Sequence, residues 1–364
     1  MDLWRISATG GQAERLTHHN AYVGFPTPIE DRTVLYIAQD RDGSGPWLWA
    51  LDTDSRTSRR ISFGTEQYLS IDGNGRRLVA SVANRSASLW TVPILDGPAE
   101  DADVKPLQLP TVRALSPRLA GRALFYLSSQ GTGDGLWRFE DGNAVEILKG
   151  SAETLLQPPA VSADGHRLAV VVRRDGKPRL RILSAEGGDL QALGESIDIE
   201  GSVCWSPNGE WIVAGGVDGK GPGLFKIPLD NGAPVRLVAG IARDPVWSPQ
   251  GDLIAYTGAN VSVDAPLLAI RADGTKFELP AIRLRIGGQR YRFVPDRLAL
   301  VYAQGPFPAQ DFWLLDLATR KSRQLSRLSD SASTQSFDVT ADGKLIVFDR
   351  VRENADIVLV DLAR

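Results

Sequence analysis

The chain has 364 residues, of which 43% are hydrophobic, and a formal net charge of −3 from 41 basic and 44 acidic residues. A chain with this balanced charge lacks the excess of basic residues that nucleic acid or an anionic membrane surface would attract, so we expect neither as a partner. The single cysteine, Cys204, excludes an internal disulfide, and beside Trp205 on an apolar strand it is expected to be a buried small hydrophobe.

A tight turn recurs along the chain and ends the first strand of each of a series of repeats. Val203 to Leu237 contains the most complete copy, in which Ser206-Pro207-Asn208-Gly209 forms the turn. Pro fixes φ at one turn position, and Gly accepts the positive φ at the next. Copies of this turn centre near residues 31, 75, 121, 165, 209, 251, 296 and 343. A spacing of about 40–47 residues is typical of propeller blades with four short antiparallel strands.

The third strand of most repeats carries an apolar pair that usually includes an aromatic residue. These pairs are Leu3-Trp4, Leu48-Trp49, Leu89-Trp90, Leu136-Trp137, Leu224-Phe225, Phe312-Trp313 and Ile357-Val358. At one pair per repeat, we expect the large side chains to pack between adjacent sheets rather than to form a ligand cage. An outer strand follows in several copies, as in Arg15-Leu16-Thr17 and Arg236-Leu237-Val238.

The order of turn, strand, Gly-rich turn, Leu-Trp and outer strand resembles the WD40-like repeat of TolB-type propellers. It is also similar to the propellers beside the hydrolase domains of dipeptidyl peptidase IV and tricorn protease. The resemblance covers nearly the whole chain and implies an all-β propeller. No repeat ends in Trp-Asp, as true WD40 repeats do. Because the shared residues are turn and core residues, the resemblance implies the fold and leaves the function open.

We expect one domain, 1–364, with about eight repeats. Residues 333–364 offer first, second and third strands without an outer strand, whereas 1–17 offer a spare outer strand. The two ends are therefore expected to form one closing blade together, which removes both sheet edges. A seven-bladed ring with loose end strands is the alternative. Because the chain begins in the middle of a repeat, we also expect further residues before Met1 in the natural protein.

No catalytic motif is present in the sequence, and we predict no catalytic residue, metal or cofactor. The candidate site is instead the set of loops that lead from each outer strand to the next first strand, around one mouth of the channel. Its predicted ligand-binding residues are His19, Tyr22, Glu66, Gln157, Glu200, Arg243, Asp244 and Gln335. Polar groups at a concave mouth suit a peptide or small ligand, although a wet channel without a ligand fits the pattern equally well.

The first functional hypothesis is a non-catalytic propeller that binds a protein or peptide or acts as a sensor. It would be the repeat module of a larger bacterial signalling, regulatory or envelope protein. The alternative is the substrate-gating propeller of a prolyl-oligopeptidase-type serine peptidase without its catalytic domain. No apolar run spans a bilayer and no secretory signal is visible, so the chain as given is expected to be soluble, monomeric and cytoplasmic. If N-terminal residues are missing, a periplasmic location is the alternative.

Overall fold

The computed structural model describes residues 1–19, 22–39, 46–62, 67–111, 113–129, 134–149, 154–155, 157–174 and 177–362. These residues are mostly β-strand and form two compact units. The first unit contains the described parts of Met1–Ser86 and Glu353–Arg364, and the second contains those of Ala87–Ser129 and Asp134–Arg352. The one helix in these ranges is a 3-10 turn at Asp101–Asp103, so no helix among them is long and apolar enough to cross a bilayer.

The first unit is built around a sheet of four antiparallel strands in sequence order. The strands are β3 (Val23–Glu30), β4 (Thr33–Ala38), β5 (Trp47–Asp52) and β6 (Thr57–Arg60), preceded by a two-stranded sheet of β1 (Trp4–Arg5) and β2 (Glu14–Arg15). Next in the chain, β7 (Gln67–Asn74) pairs with β8 (Arg77–Pro93).

The second unit contains five consecutive sheets and one that joins distant parts of the chain. Before the consecutive sheets come two short strands, β9 (Ala99–Glu100) and β10 (Lys105–Pro106). The first sheet is β11 (Leu115–Ala120), β12 (Ala123–Ser129), β13 (Asp134–Glu140) and β14 (Asn143–Leu148). The second sheet is β15 (Thr154–Leu155), β16 (Ala160–Val161), β17 (Arg167–Arg174), β18 (Lys177–Ser184) and β19 (Asp189–Leu193). The third sheet is β20 (Asp198–Trp205), β21 (Trp211–Asp218), β22 (Gly221–Pro228) and β23 (Val235–Ala239). The fourth sheet is β24 (Arg243–Trp247), β25 (Leu253–Thr257), β26 (Asp264–Arg271), β27 (Lys276–Phe277) and β28 (Arg283–Arg285). The fifth sheet is β29 (Tyr291–Phe293), β30 (Ala299–Gln304), β31 (Asp311–Asp316) and β32 (Lys321–Gln324).

The sixth sheet of the second unit closes a ring. After β33 (Ser326–Arg327), which pairs with β9, the chain forms β34 (Phe337–Val339) and β35 (Leu345–Asp361). The sheet order is β34, β35, β8, β10, so the third and outer positions are filled by an earlier part of the chain. The first strands contact one another in the cyclic order β34, β11, β16, β20, β24, β29 and back to β34. The described residues of the second unit therefore form six sheets around a central channel, as in a β-propeller.

This pairing differs from the ring closure expected from the sequence. We expected Leu89-Trp90 and Ile357-Val358 to lie on third strands that are separate from the second strands before them. Instead, 77–93 and 345–361 are each one strand of 17 residues. The middle of each segment, 83–87 and 351–355, contains no Gly or Pro that would break a strand. Among the described strands, β1 and β2 pair with each other and not with β35, so the closing blade of 1–17 with 333–364 is not what the hydrogen bonds show. The eight-blade count is not confirmed, and a single domain over 1–364 stays a prediction.

The core of the second unit lies between adjacent sheets, as propeller packing requires. Ile182 of β18, for example, packs in one buried cluster with Ile212 and Phe225 of the next sheet. The predicted third-strand residues Leu89, Leu136, Leu224 and Phe312 are at most 1% exposed. Two of the expected packing positions are instead on the surface, since Trp4 is 59% exposed and Ile357 is 82% exposed.

A hydroxyl side chain organises the recurrent turn. In the copy that begins at Ser206, the Gly209 N–H donates to the Ser206 carbonyl at 2.9 Å, and Gly209 has a φ of +69°. The Ser206 Oγ accepts the Trp211 N–H at 3.0 Å. Equivalent hydroxyl bonds to the residue five positions later are made by Ser162, Ser248 and Thr340. The side chain thus ties the end of the first strand to the start of the second.

The Ser248 turn gives a direct test of this interaction. Ser248→Ala leaves the N–H of the buried Leu253 without its 2.9 Å acceptor. We expect the free energy of unfolding, measured by urea denaturation, to fall by about 1–3 kcal/mol. The matched control is Ser196→Ala, because Ser196 is exposed and the structure describes no hydrogen bond of its side chain. Equal stability of the two variants would show that the hydroxyl has no such role.

Candidate functional site

The first strands of the second unit carry a bulge near their start. Register shifts fall between Leu115 and Arg118, between Glu200 and Val203, and between Arg243 and Val246. Each bulge holds one residue with positive φ, namely Ser116 at 56°, Gly201 at 79° and Asp244 at 53°. A bulge turns backbone N–H groups away from the β-ladder, so these groups need other acceptors.

Buried carboxylates supply those acceptors. Asp349, which is fully buried, accepts the N–H groups of Ser116, Gln335 and Ser336 at 3.0, 2.7 and 3.0 Å. Burial raises the pKa of the Asp349 carboxyl group, and the three N–H groups oppose that shift. This carboxylate therefore fastens the start of one first strand to the next sheet of the ring.

Asp244 has a similar structural role on the other side of the ring, between the sheets of β20 and β24. Its Oδ1 accepts the N–H of Ser202 at 2.8 Å and the hydroxyl of Ser202 at 3.0 Å. Burial raises the pKa of Asp244, and its bonds from Ser202 act in the opposite direction. Asp244 was predicted as a ligand-binding residue, but its Oδ1 is already bonded inside the ring.

Glu200 and Arg243 are the two predicted site residues that the structure brings together. Arg243 donates from Nε and Nη2 to the Glu200 Oε2 at 2.9 and 2.7 Å. The two side chains are 39% and 31% exposed, respectively. Gln335, just before β34, and Gln157, between β15 and β16, are half-buried near the start of their own first strands. As ligand-binding residues, these four stay predictions.

The remaining predicted residues do not join this group. His19 belongs to the first unit, where its Nε2 lies 2.7 Å from the Tyr36 hydroxyl and its ring packs edge-on against Trp49. Tyr22 is also in the first unit and is 36% exposed. Glu66 lies outside the described residues. His19 thus has internal packing contacts, and a ligand role for these three residues stays a prediction.

Sequence reasoning missed a cavity of about 180 Å³ in the channel of the second unit. Residues of all six first strands line it, and we call a set of one lining residue from each strand the channel ring. The channel ring consists of Arg118, Ala160, Cys204, Val246, Arg292 and Asp338. In five of the six strands this residue stands two positions before the first turn residue, which is Ser162, Ser206, Ser248, Val294 or Thr340. That constant offset from the turn is the sequence signal that could have identified the ring.

The charged half of the channel ring is held by hydrogen bonds to neutral groups and by one ion pair. Arg118 is 3% exposed and donates from Nη1 to Ser336 Oγ at 2.9 Å and from Nη2 to the Gln289 Oε1. Arg292 donates from Nη2 to the same Gln289 oxygen at 2.6 Å, and its Nε lies 3.5 Å from the Asp338 Oδ1. Burial lowers the pKa of both guanidinium groups, which nevertheless stay protonated at neutral pH. Two cations therefore share one amide oxygen at the centre of the unit.

Within the described ranges, no group of three or more His, Cys, Asp or Glu side chains is placed to hold a metal ion. Cys204 is buried, as predicted, and burial raises the pKa of its thiol to about 12.

Comparison with known proteins bears on the fold. The chain is similar to a TolB structure from Agrobacterium tumefaciens, with a TM-score of 0.53 at 18% identity over 74% of this chain and 99% of that one. It is also similar to TolB from Acinetobacter baumannii, with a TM-score of 0.49 at 14% identity over 88% and 81% of the two chains. No protein-family model and no curated protein sequence matches the chain. The first similarity confirms the fold expected from the repeats, and at this identity it bears on the fold alone.

The bulge predicts a strict need for glycine at position 201. A Cβ on Gly201 would lie 2.8 Å from the Asp244 Oδ1 and 3.2 Å from the Asp244 nitrogen, at a φ of +79°. We expect Gly201→Ala to lower the free energy of unfolding by about 1–3 kcal/mol because of the left-handed backbone and the close contact. Gly219→Ala is the control, since a Cβ there meets nothing within 4 Å. An unchanged unfolding midpoint for Gly201→Ala would contradict the bulge geometry.

The environment of Cys204 predicts low thiol reactivity. A thiol with a pKa of about 12 has almost no thiolate at pH 8, and the thiolate is the nucleophile. We expect iodoacetamide to modify the native chain at least about 100-fold more slowly than the chain in concentrated guanidinium chloride, as followed by mass spectrometry. Similar rates in both states would mean that this first strand is not packed as described.

Proposed function

We propose that this TolB-like β-propeller is a non-catalytic protein- or peptide-binding module of a larger bacterial signalling, regulatory or envelope protein. The partner docks on the second unit where the first strands begin. The observation that supports this proposal best is the half-exposed pair of Glu200 and Arg243, which presents one negative and one positive side chain at the same place.

The energetics of that pair suit an exchange of partners. An exposed ion pair contributes only about 0–1 kcal/mol to stability, so opening it costs the fold little. Each side chain can then pair with an opposite charge on the bound protein, and complementary charges favour fast and specific association. An ion pair in the core would cost much more to open, because each charge would be left buried without its partner.

The surrounding backbone supports a rigid docking surface. Asp244 and Asp349 fix neighbouring first strands through their bonds to backbone N–H groups. A Cβ on Gly288 would lie 2.0 Å from the Gln335 carbonyl oxygen. The backbone at Gly288 therefore packs directly against the backbone at Gln335, with no room for a side chain between them. A surface that is already ordered loses less conformational entropy on binding.

The test uses the purified chain as bait in a pull-down from source cells, followed by an affinity measurement with the captured partner. In the double variant Glu200→Gln, Arg243→Gln, we expect affinity to fall at least about tenfold, because both charged contacts are lost. The matched control is Lys276→Gln, Glu278→Gln, which removes an exposed ion pair of 2.8 Å at the outer strand β27.

The two variants separate the possible results. Loss of affinity in the first variant alone supports the proposal. Equal affinity of both variants and the unmodified chain moves the docking surface away from Glu200 and Arg243. A captured partner with a serine hydrolase domain would support the substrate-gating alternative in place of a signalling or envelope role.

A further inference from the structure

We propose that the central cavity of the second unit binds a small carboxylate whose remaining part is apolar. This site is separate from the docking surface at Glu200 and Arg243. Cys204 follows Glu200 on the same strand by four residues, which places the channel ring about 10 Å further along the channel.

The channel ring is divided into a charged half and an apolar half. Arg292, Asp338 and Arg118 come from three consecutive sheets, β29–β32, the sheet of β34 and β35, and β11–β14. Two guanidinium groups and one carboxylate lie together on this side of the cavity, and the carboxylates of Asp244 and Asp349 also act electrostatically on Arg118. Because both guanidinium groups are cationic donors, this side favours an acceptor that carries a negative charge.

The two arginines direct most of their hydrogen bonds to neutral oxygens. Asp338 is the carboxylate that pairs with Arg292, and the described acceptors of Arg118 are all neutral oxygens. The Arg118 Nε–H has no acceptor among the residues that the structure describes, although it is buried. Two other carboxylates of the channel, Asp244 and Asp349, are bonded to backbone N–H groups. A bound carboxylate would give these donors a charged acceptor, since arginine forks match carboxylate geometry.

The other half of the ring offers apolar contacts. Ala160, Cys204 and Val246 come from the three sheets opposite, and Trp205 and Trp247 extend the same wall. The Trp205 Nε1–H donates to the Ala160 carbonyl at 3.0 Å and the Trp247 Nε1–H to the Gly251 carbonyl at 3.1 Å. Because both indole N–H groups are already bonded, these rings present apolar surface to a ligand.

The cavity volume limits the size of the ligand. An apolar cavity of about 150 Å³ holds one benzene ring, so the 180 Å³ cavity accommodates a carboxylate with one ring or a short branched chain. Arg292 and Asp338 keep 13% and 18% of their side-chain surface exposed, which shows that solvent reaches the charged half. A dianion such as phosphate would leave oxygens against the apolar half without donors.

Calorimetric titration of the purified chain with phenylacetate tests the proposal, with phenylacetamide as the neutral isostere. We expect the acid to bind with one-to-one stoichiometry and at least about tenfold more tightly than the amide, because only the acid pairs with the arginines. The peptide Gly-Gly-Gly-Phe, as free acid and as C-terminal amide, distinguishes a free small acid from the last residue of a peptide. Inorganic phosphate is the fourth probe.

Variants locate the binding. Arg292→Gln is expected to weaken phenylacetate binding at least about tenfold, whereas Arg297→Gln, an exposed arginine just after the same strand, leaves it unchanged. Ala160→Leu keeps both arginines but fills the apolar half, so it is expected to abolish binding even if Arg292→Gln fails to fold.

The outcomes are distinct. Acid-selective binding that both cavity variants weaken supports the site, and selectivity for the peptide acid identifies a C-terminal residue as the ligand. Equal binding of acid and amide, tighter binding of phosphate, or normal binding by Ala160→Leu would overturn the proposal.

Discussion

The register of the first strands depends on the turn that ends each of them. A Ser or Thr hydroxyl accepts the N–H five residues later and so connects the two strands of the hairpin. Because side chains alternate across a strand, a slip of one residue would move each inward side chain to the opposite face. The turn therefore decides which residue of each first strand lines the channel, and the core packing between sheets and the channel ring both follow from that register.

Polar groups in the channel differ in how they are satisfied, and this difference decides what they can bind. Asp349 accepts three backbone N–H groups, and these bonds commit it to holding neighbouring sheets together. Arg118 and Arg292 instead share the single amide oxygen of Gln289. Buried charges without full compensation are costly. Asp244 and Asp349 therefore hold neighbouring sheets together, while the arginines retain the capacity to pair with an anion.

The ion pair of Glu200 and Arg243 and the channel ring differ in how far water reaches them. Glu200 and Arg243 are more than 30% exposed, so water screens their attraction and their contact is readily exchanged. Arg118 is 3% exposed, where charge interactions are stronger and the side chain is held in place. The first arrangement suits transient association with a protein surface, and the second suits a small ligand that fits a preformed cavity.

The sequence by itself determined the repeats, the turns and most of the buried third-strand residues. Each of these depends on local chemistry: Gly at positive φ, a hydroxyl near a backbone N–H, and apolar pairs at a regular spacing. It did not determine how 77–93 and 345–361 would pair, since nothing local in these segments specifies a turn or a continuous strand. It also missed the channel ring, although Arg118 and Arg292 stand out in apolar strands. Six residues spread over 221 positions, from Arg118 to Asp338, meet around one cavity. Only the tertiary structure brings them together, because their proximity depends on closure of the ring.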